Sequence, residues 1–380
     1  MKRILNKIDK PLLFITILCL VFGIMMVGSA SSLKAYMARS DSFFYFKRQL
    51  FFIGIGLISS VIVLKTPIRK WKNLIYLAVL GVMGALVYVL LKGQTSNGVN
   101  GWLFIGGFGI QPSEFAKTIL ILFLAIIFEK LIKVRNLSNV AKVLPFVVPI
   151  IFVFLVFEQP DFGTMMILLG ITAVIFFMVP YDGKTKFIMI TFTIISVLLL
   201  ALVMVVTGKG LTKSQMSRFN YKNPCTRYRE TTGYQVCNGY IAINSGGLFG
   251  SGIGNSKQKY LYLPEAHTDF IFAIIIEETG LVAGAIIILA YFIIIWRILM
   301  IGKKSYNLQG TIICYGVATY IALHVMINLG GVLGLIPLTG VPLPFYSYGG
   351  SFMINLLICL AFVQRVSVEN KTFEQKHLVR

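Results

Sequence analysis

Charge is what this sequence has least of. Only 13% of its 380 residues are Asp, Glu, Lys or Arg, about half of what a soluble chain carries. Acids are scarcer still, with 14 Asp and Glu against 35 Lys and Arg. The five cysteines form no C-x-x-C, and neither they nor the three histidines have zinc spacing, which leaves no legible metal framework. The basic residues sit in short segments between apolar runs and form no folded patch, so nucleic acid is not an expected partner. Short alternating segments of the kind a membrane barrel needs are missing as well. No internal repeat is evident, which counts against an inverted-repeat transporter. The glycines of 250–256 (GSGIGNS) resemble a phosphate loop but lack the strand, the helix and the lysine that such a loop requires.

What the sequence has is apolar length. Hydrophobic residues make up 57%, the mean hydropathy is +0.83, and runs of roughly 16–25 apolar residues recur, each long enough to cross a bilayer as a helix. The expected class is therefore all-α: a polytopic membrane protein forming one integral membrane domain over residues 1–380. About ten spans are predicted, at 11–31, 49–64, 74–91, 114–129, 143–157, 164–180, 187–207, 270–299, 311–336 and 351–365. The first follows Lys2, Arg3, Lys7 and Lys10 and is too long for a secretory signal, so it reads as an uncleaved helix. Alternate connections concentrate Lys and Arg, which places both termini in the cytoplasm. The net charge of +21 suits anionic lipid. Residues 208–268 form a long outside loop, and a long loop translocates largely regardless of its own charge. The tail at 367–380 is short and polar and is expected to be disordered. Cys19, Cys314 and Cys359 lie in apolar runs as packing residues, whereas Cys225 and Cys237 fall in the long loop.

Four outward stretches are too polar or too irregular for plain connectors. The first, GVNGWLFIGGFGIQPSEFAK (98–117), offers Trp102 to the interface, followed by Gln111, Ser113, Glu114 and Lys117. Its structural reading is a helix start, with Pro112 or Ser113 as cap and Glu114 favourable to the dipole. That reading leaves Lys117 unexplained: one turn into a span, it must pair with Glu114 or meet an anionic ligand. The second, EQPDFGT (158–164), has a turn reading in which Asp161 caps the next helix. The third, KYLYLPEAHTDFIFAIIIEETG (259–280), sets Glu265, His267 and Asp269 before an apolar helix that also carries Glu277 and Glu278. Thr268 or Asp269 would serve as its cap, but five ionisable groups in so apolar a segment describe a proton-handling site. The fourth, PLTGVPLPFYSYGGS (337–351), is non-helical backbone at membrane depth, which must be buried by protein or line a cavity; Ser347 and Tyr348 are its hydroxyl donors. Asn328 and His324 read as interhelical glue. A divalent cation, magnesium or manganese, could sit among these carboxylates, and no organic cofactor is indicated.

In this order the four stretches resemble the motifs of the SEDS family of cell-wall polymerases, the group of FtsW, RodA and SpoVE, over essentially the whole chain. PEAHTDFIFA, GYQVCNGYIAI and the paired loop cysteines look nearer to the division branch, FtsW, of Gram-positive-type bacteria. EETG stands where EELG is common, and Phe352 follows Ser351 where a second small residue is usual. The resemblance implies a peptidoglycan glycosyltransferase that polymerises lipid II outside the cytoplasmic membrane, at the division septum. Asp269 would be the general base, and undecaprenyl pyrophosphate would leave with inversion. Lys117, Arg48 and Lys259 are the candidate cations for that pyrophosphate, and Glu278 joins the substrate-binding set. It also implies a class B penicillin-binding protein and other divisome proteins as partners. A lipid II flippase and a non-catalytic scaffold for that transpeptidase are the rival readings. A bridge between Cys225 and Cys237 would close a short loop, worth about 2–3 kcal/mol; two free thiols are the alternative.

Overall fold

A backbone without water beside it must satisfy its own polar groups, so apolar runs of this length fold as helices. The computed structural model of the chain describes residues 2–96, 99–134, 138–184, 186–187, 190–191 and 222–378. Its main helices are α1 (Lys10–Arg39), α2 (Phe44–Lys65), α3 (Lys72–Lys92), α4 (Pro112–Leu131), α5 (Val147–Phe157), α6 (Phe162–Met178), α7 (Thr231–Gly246), α8 (Ile271–Lys303), α9 (Leu308–Val332) and α10 (Gly350–Leu378). All the predicted spans but the seventh find their helix here. The seventh, 187–207, falls almost wholly outside the described residues, as does the start of the long loop. The protein is an all-α, polytopic membrane protein.

Burial separates an inner group of helices from an outer one. α10 buries 83% of its apolar span and α9 buries 67%, whereas α3 buries only 22% and α2 28%. α9 packs against α8, α4 and α6, and α10 lies along α2. The outer helices turn Phe14, Ile58, Leu77 and Phe292 outward, a surface that only a lipid solvent tolerates at this extent.

Two expectations are corrected, and one stretch gains a structure. Residues 367–378 are not disordered: they continue α10. Lys7 Nζ donates to Thr372 Oγ1 (3.0 Å), Asn370 Nδ2 to the Ile301 carbonyl (3.2 Å) and Lys371 Nζ to the Ile8 carbonyl (3.1 Å), while Phe373 stacks on Tyr306. The glycine-rich stretch after α3, already too irregular in sequence for a plain connector, forms a three-stranded antiparallel sheet: β1 (Gln94–Ser96), β2 (Val99–Ile105) and β3 (Phe108–Ile110). Gly106 and Gly107, with φ of 57° and 80°, make the two-residue turn between β2 and β3, a conformation that needs positive φ at both positions. The expected caps also move. Gln111 is the N-cap of α4, with Pro112 as its first residue, and Phe270, rather than Thr268 or Asp269, precedes α8.

Candidate active site

The amino end of α4 brings ionisable groups into the protein interior. Ser113, Glu114 and Lys117 are all buried, and the spacing of three puts Glu114 and Lys117 on one helix face. Lys117 Nζ lies 2.8 Å from Glu114 Oε1 and 3.1 Å from His324 Nε2 on α9. An ammonium has only donors, so Nε2 accepts and the other ring nitrogen, Nδ1, carries the hydrogen given to the Pro342 carbonyl at 3.1 Å. His324 thus ties Lys117 to the proline-rich segment. Glu114 Oε2 and Ser113 Oγ have no hydrogen-bond partner among the described residues.

Asp161 ends the turn before α6 and caps it, accepting from the Thr164 amide at 3.0 Å. Its other oxygen accepts from Gln111 Nε2 at 3.1 Å. One carboxylate therefore serves both as helix cap and as a tie to the start of α4, and the Gln111 amide in turn donates to Ser351 Oγ (3.1 Å) at the start of α10.

The entry to α8 is clamped by the segment 337–351. Ser347 Oγ donates to the Thr268 carbonyl (2.6 Å) and accepts from the Leu343 amide (2.8 Å). The Tyr348 amide donates to the His267 carbonyl at 2.9 Å. Asn328 Nδ2 on α9 reaches both the Asp269 and the Val341 carbonyls at 2.8 Å. Asp269 is thereby fixed from both sides while remaining partly exposed. Gly340, with φ of 76°, brings its backbone so near that a Cβ there would lie 3.4 Å from Asp269 Oδ2. His267 is buried behind this wall, with its ring against Tyr45 (4.8 Å) and Tyr348 (5.7 Å). Burial first, and the Lys34 ammonium second, push its pKa down from 6.5 to about 3, so the ring is neutral at physiological pH. Burial likewise raises the Tyr348 phenol, which stays protonated as a donor.

These pieces enclose one cavity of about 700 Å³. Of the residues singled out in the sequence, Trp102, Gln111, Glu114, Lys117, Asp161, Glu265, Asp269 and Tyr348 line it. All four motif stretches therefore meet in one space. Glu265 is held there by Thr268 Oγ1, which donates to it at 2.6 Å, and by Lys34 at 3.5 Å. Among the described residues the lining holds the carboxylates of Glu114, Asp161, Glu230, Glu265 and Asp269 against the single ammonium of Lys117. No three His, Cys, Asp or Glu among the described residues form a group able to hold a metal ion.

The other candidates stand apart from the lining. Arg48 donates to the Gly107 carbonyl at 2.7 Å and lies over the Phe108 ring, holding the hairpin tip. Ser113, His267 and Ser347 sit behind the wall. Lys259 and Glu278 pair with each other at 2.9 Å, both buried, and Ser29 Oγ donates to Glu278 at 2.7 Å. Glu277 turns the same way and accepts from Ser256 Oγ and the Lys257 amide. The five ionisable groups read as one cluster thus divide into two. Glu230, Thr232 and Gln235, at the start of α7, complete the cavity wall and were not singled out. Glu230 carried a signal: it is the one acid between Gly208 and Pro264. The Cys225–Cys237 bond, with Cα atoms 5.0 Å apart, ties the segment before α7 to that helix.

The family model described as "Cell cycle protein", for FtsW, RodA and SpoVE, matches residues 10–372. The chain is 36% identical to "Probable peptidoglycan glycosyltransferase FtsW" of Bacillus subtilis, over 99% of this chain and 94% of that protein. It is also 36% identical to stage V sporulation protein E of the same organism, over 94% of this chain and 96% of that one. Among solved structures it is similar to a chain of a peptidoglycan synthase complex described as coordinating polymerization and crosslinking, with a TM-score of 0.73, 25% identity, and 96% and 98% of the two chains covered. Thermus thermophilus RodA superposes with a TM-score of 0.67 at 25% identity, covering 95% of this chain and 96% of that one.

Proposed function

The chain belongs to the FtsW/RodA/SpoVE family, and from that premise we propose that it is a peptidoglycan glycosyltransferase that polymerises lipid II on the outer face of the cytoplasmic membrane. The observation that carries this reading is the partly exposed Asp269 carboxylate in a cavity lined by all four motif stretches. Asp269 takes the proton from the 4-hydroxyl of the acceptor GlcNAc as that oxygen attacks C1 of the donor MurNAc. The C1–O bond to undecaprenyl pyrophosphate breaks on the opposite face, so the configuration at C1 inverts and the pyrophosphate carries away the electron pair. The surplus of carboxylates suits the positive charge that develops on the donor ring.

The pyrophosphate is already a good leaving group and needs cations rather than an acid. Of the three cations considered for it, Lys117 alone lines the cavity; Arg48 and Lys259 are engaged elsewhere. The amino ends of α4, α6 and α10 open on the same space and add partial positive charge. The unpartnered Glu114 Oε2 is an acceptor for a sugar hydroxyl. Both termini lie in the cytoplasm in this reading, and a class B penicillin-binding protein cross-links the product at the septum.

Purified protein supplied with lipid II, with and without its cognate class B partner, tests the activity. Glycan strands on a gel are expected. No polymer under either condition, together with transfer of lipid II between leaflets of a vesicle, would replace the polymerase with a flippase.

A further inference from the structure

Helix α8 is broken inside its length. Gly280 has φ 85° and ψ 169° within a helix that otherwise runs Ile271–Lys303. The roughly 23 residues beyond the break rise about 35 Å, enough by themselves to cross a hydrocarbon core of about 30 Å. With the Lys303 end at the cytoplasmic face, as the basic connections imply, the break falls at the outer edge of the bilayer.

Residues 246–252 fill that break with their own backbone. The Ser251 and Gly252 amides donate to the Glu277 and Glu278 carbonyls, each at 2.9 Å. The Leu281 and Val282 amides donate to the Gly247 and Leu248 carbonyls, at 2.9 and 3.2 Å. The groups that lose their helical partners at Gly280 thus find new ones in the loop. So close an approach excludes side chains: a Cβ at Gly246, Gly250 or Gly280 would fall 2.1 to 2.3 Å from a backbone oxygen across the contact.

Apart from Ser251, whose hydroxyl donates inward to the Glu277 carbonyl, the side chains of this loop point away from the protein and are apolar. Leu248 is 62% exposed, Phe249 81% and Ile253 58%, a surface that is unfavourable in water. It is also continuous with the outward side of the spanning part of α8, where Leu281, Val282 and Ile286 are exposed in turn; the backbone bonds between 247–248 and 281–282 fix the two surfaces edge to edge. Irregular backbone is tolerated at membrane depth only if its polar groups are satisfied within the protein, and the hydrogen bonds above meet much of that demand. We propose that residues 246–254 are embedded in the outer leaflet, with Leu248, Phe249 and Ile253 among the lipid acyl chains. Tyr260, Tyr262 and the exposed Lys257 then stand at head-group level, where amphipathic rings and ammonium groups are favoured. The embedded loop sets the depth of the segment between α7, which lines the cavity, and Asp269. The inference rests on the break in α8 and is independent of the reaction assigned to the cavity.

Nitroxide labels at Phe249→Cys, Leu248→Cys and Ile253→Cys test it in the full-length protein, one copy per lipid nanodisc. The native Cys19, Cys314 and Cys359 are buried, and Cys225 and Cys237 are bonded to each other, so the labels report the chosen sites. Ile286→Cys serves as the lipid-facing reference and Lys376→Cys as the aqueous one. The ratio of collisions with oxygen to collisions with a water-soluble nickel chelate should match Ile286 and exceed Lys376 several-fold. A ratio matching Lys376 would put the loop in water and overturn the proposal. Few collisions with either reagent would mean that protein covers the loop, and would overturn it equally. Three separate positions keep the test standing if one label disturbs the fold.

Discussion

Lys117 has no exposed surface and yet carries a charge, so its neighbours decide whether the fold tolerates it. Glu114 supplies the opposite charge and His324 a second acceptor. Lys117→Met would leave Glu114 buried with no cation beside it, a change that costs about 3–5 kcal/mol and would appear as a lower thermal midpoint in detergent. The double variant Lys117→Met/Glu114→Gln should regain most of that midpoint and still make no glycan. A double variant as active as the wild type would remove the pair from the reaction. His267 gives a prediction in pH. Its folded-state pKa, about 3, lies below its unfolded value near 6.5, so the unfolded chain binds the proton more tightly. Stability is intact above 6.5 and is lost as pH falls through the window down to about 3. His267→Gln should flatten that part of a midpoint-against-pH curve, and an unchanged slope would show that other groups set it. Residue identities in the four motifs were legible because polar side chains in an apolar chain stand out. That Glu277, Glu278 and Lys259 face away from Asp269 was not legible, because the partners that hold them, Ser29 on α1 and Ser256 in the long loop, are brought to them only by the tertiary fold.

At the scale of elements, glycine placement explains what the apolar runs do not. The break in α8 depends on Gly280, whose positive φ and missing side chain let residues 247–252 approach. Gly280→Ala combines a disfavoured φ with a Cβ placed 2.2 Å from the Leu248 carbonyl oxygen, so at least about 2 kcal/mol of stability should go. Gly81 on α3 has nothing within 4 Å of the same position, and Gly81→Ala should be neutral or stabilise by up to about 1 kcal/mol. Equal thermal midpoints for the two variants would contradict the account of the break. The hairpin β2–β3 was readable in principle from Gly106-Gly107 between WLFI and FGI, but its strands are too short to stand out among the apolar runs. Helix α7 was hidden by the polar character of the long loop, whose buried side comes from packing on α8. The ordered end of α10 was hidden for a similar reason: residues 367–378 read as polar tail, and only their docking on the first residues of the chain and on the α8–α9 connection holds them.

For the molecule as a whole, apolar length and the distribution of Lys and Arg carry most of the architecture, since a bilayer leaves an apolar chain little choice but helices. Those signals say where the chain can cross, yet not which helices stand inside; α4, α9 and α10 do so because the polar groups that lipid would reject lie on them. The cavity follows from that arrangement: Asp269, Asp161, Glu114 and Lys117 come from three separated segments and meet only when α8, α6 and α4 pack around α9. The central claim is that Asp269 is the base of a lipid II polymerase. It is tested most directly by glycan-strand formation from purified lipid II, comparing wild type with Asp269→Asn in the presence of the class B partner, after both are shown to have the same thermal midpoint. The account predicts strands from the wild type and none above background from Asp269→Asn. Strands of equal amount from both would contradict it and shift the search for the base to Asp161 and Glu114.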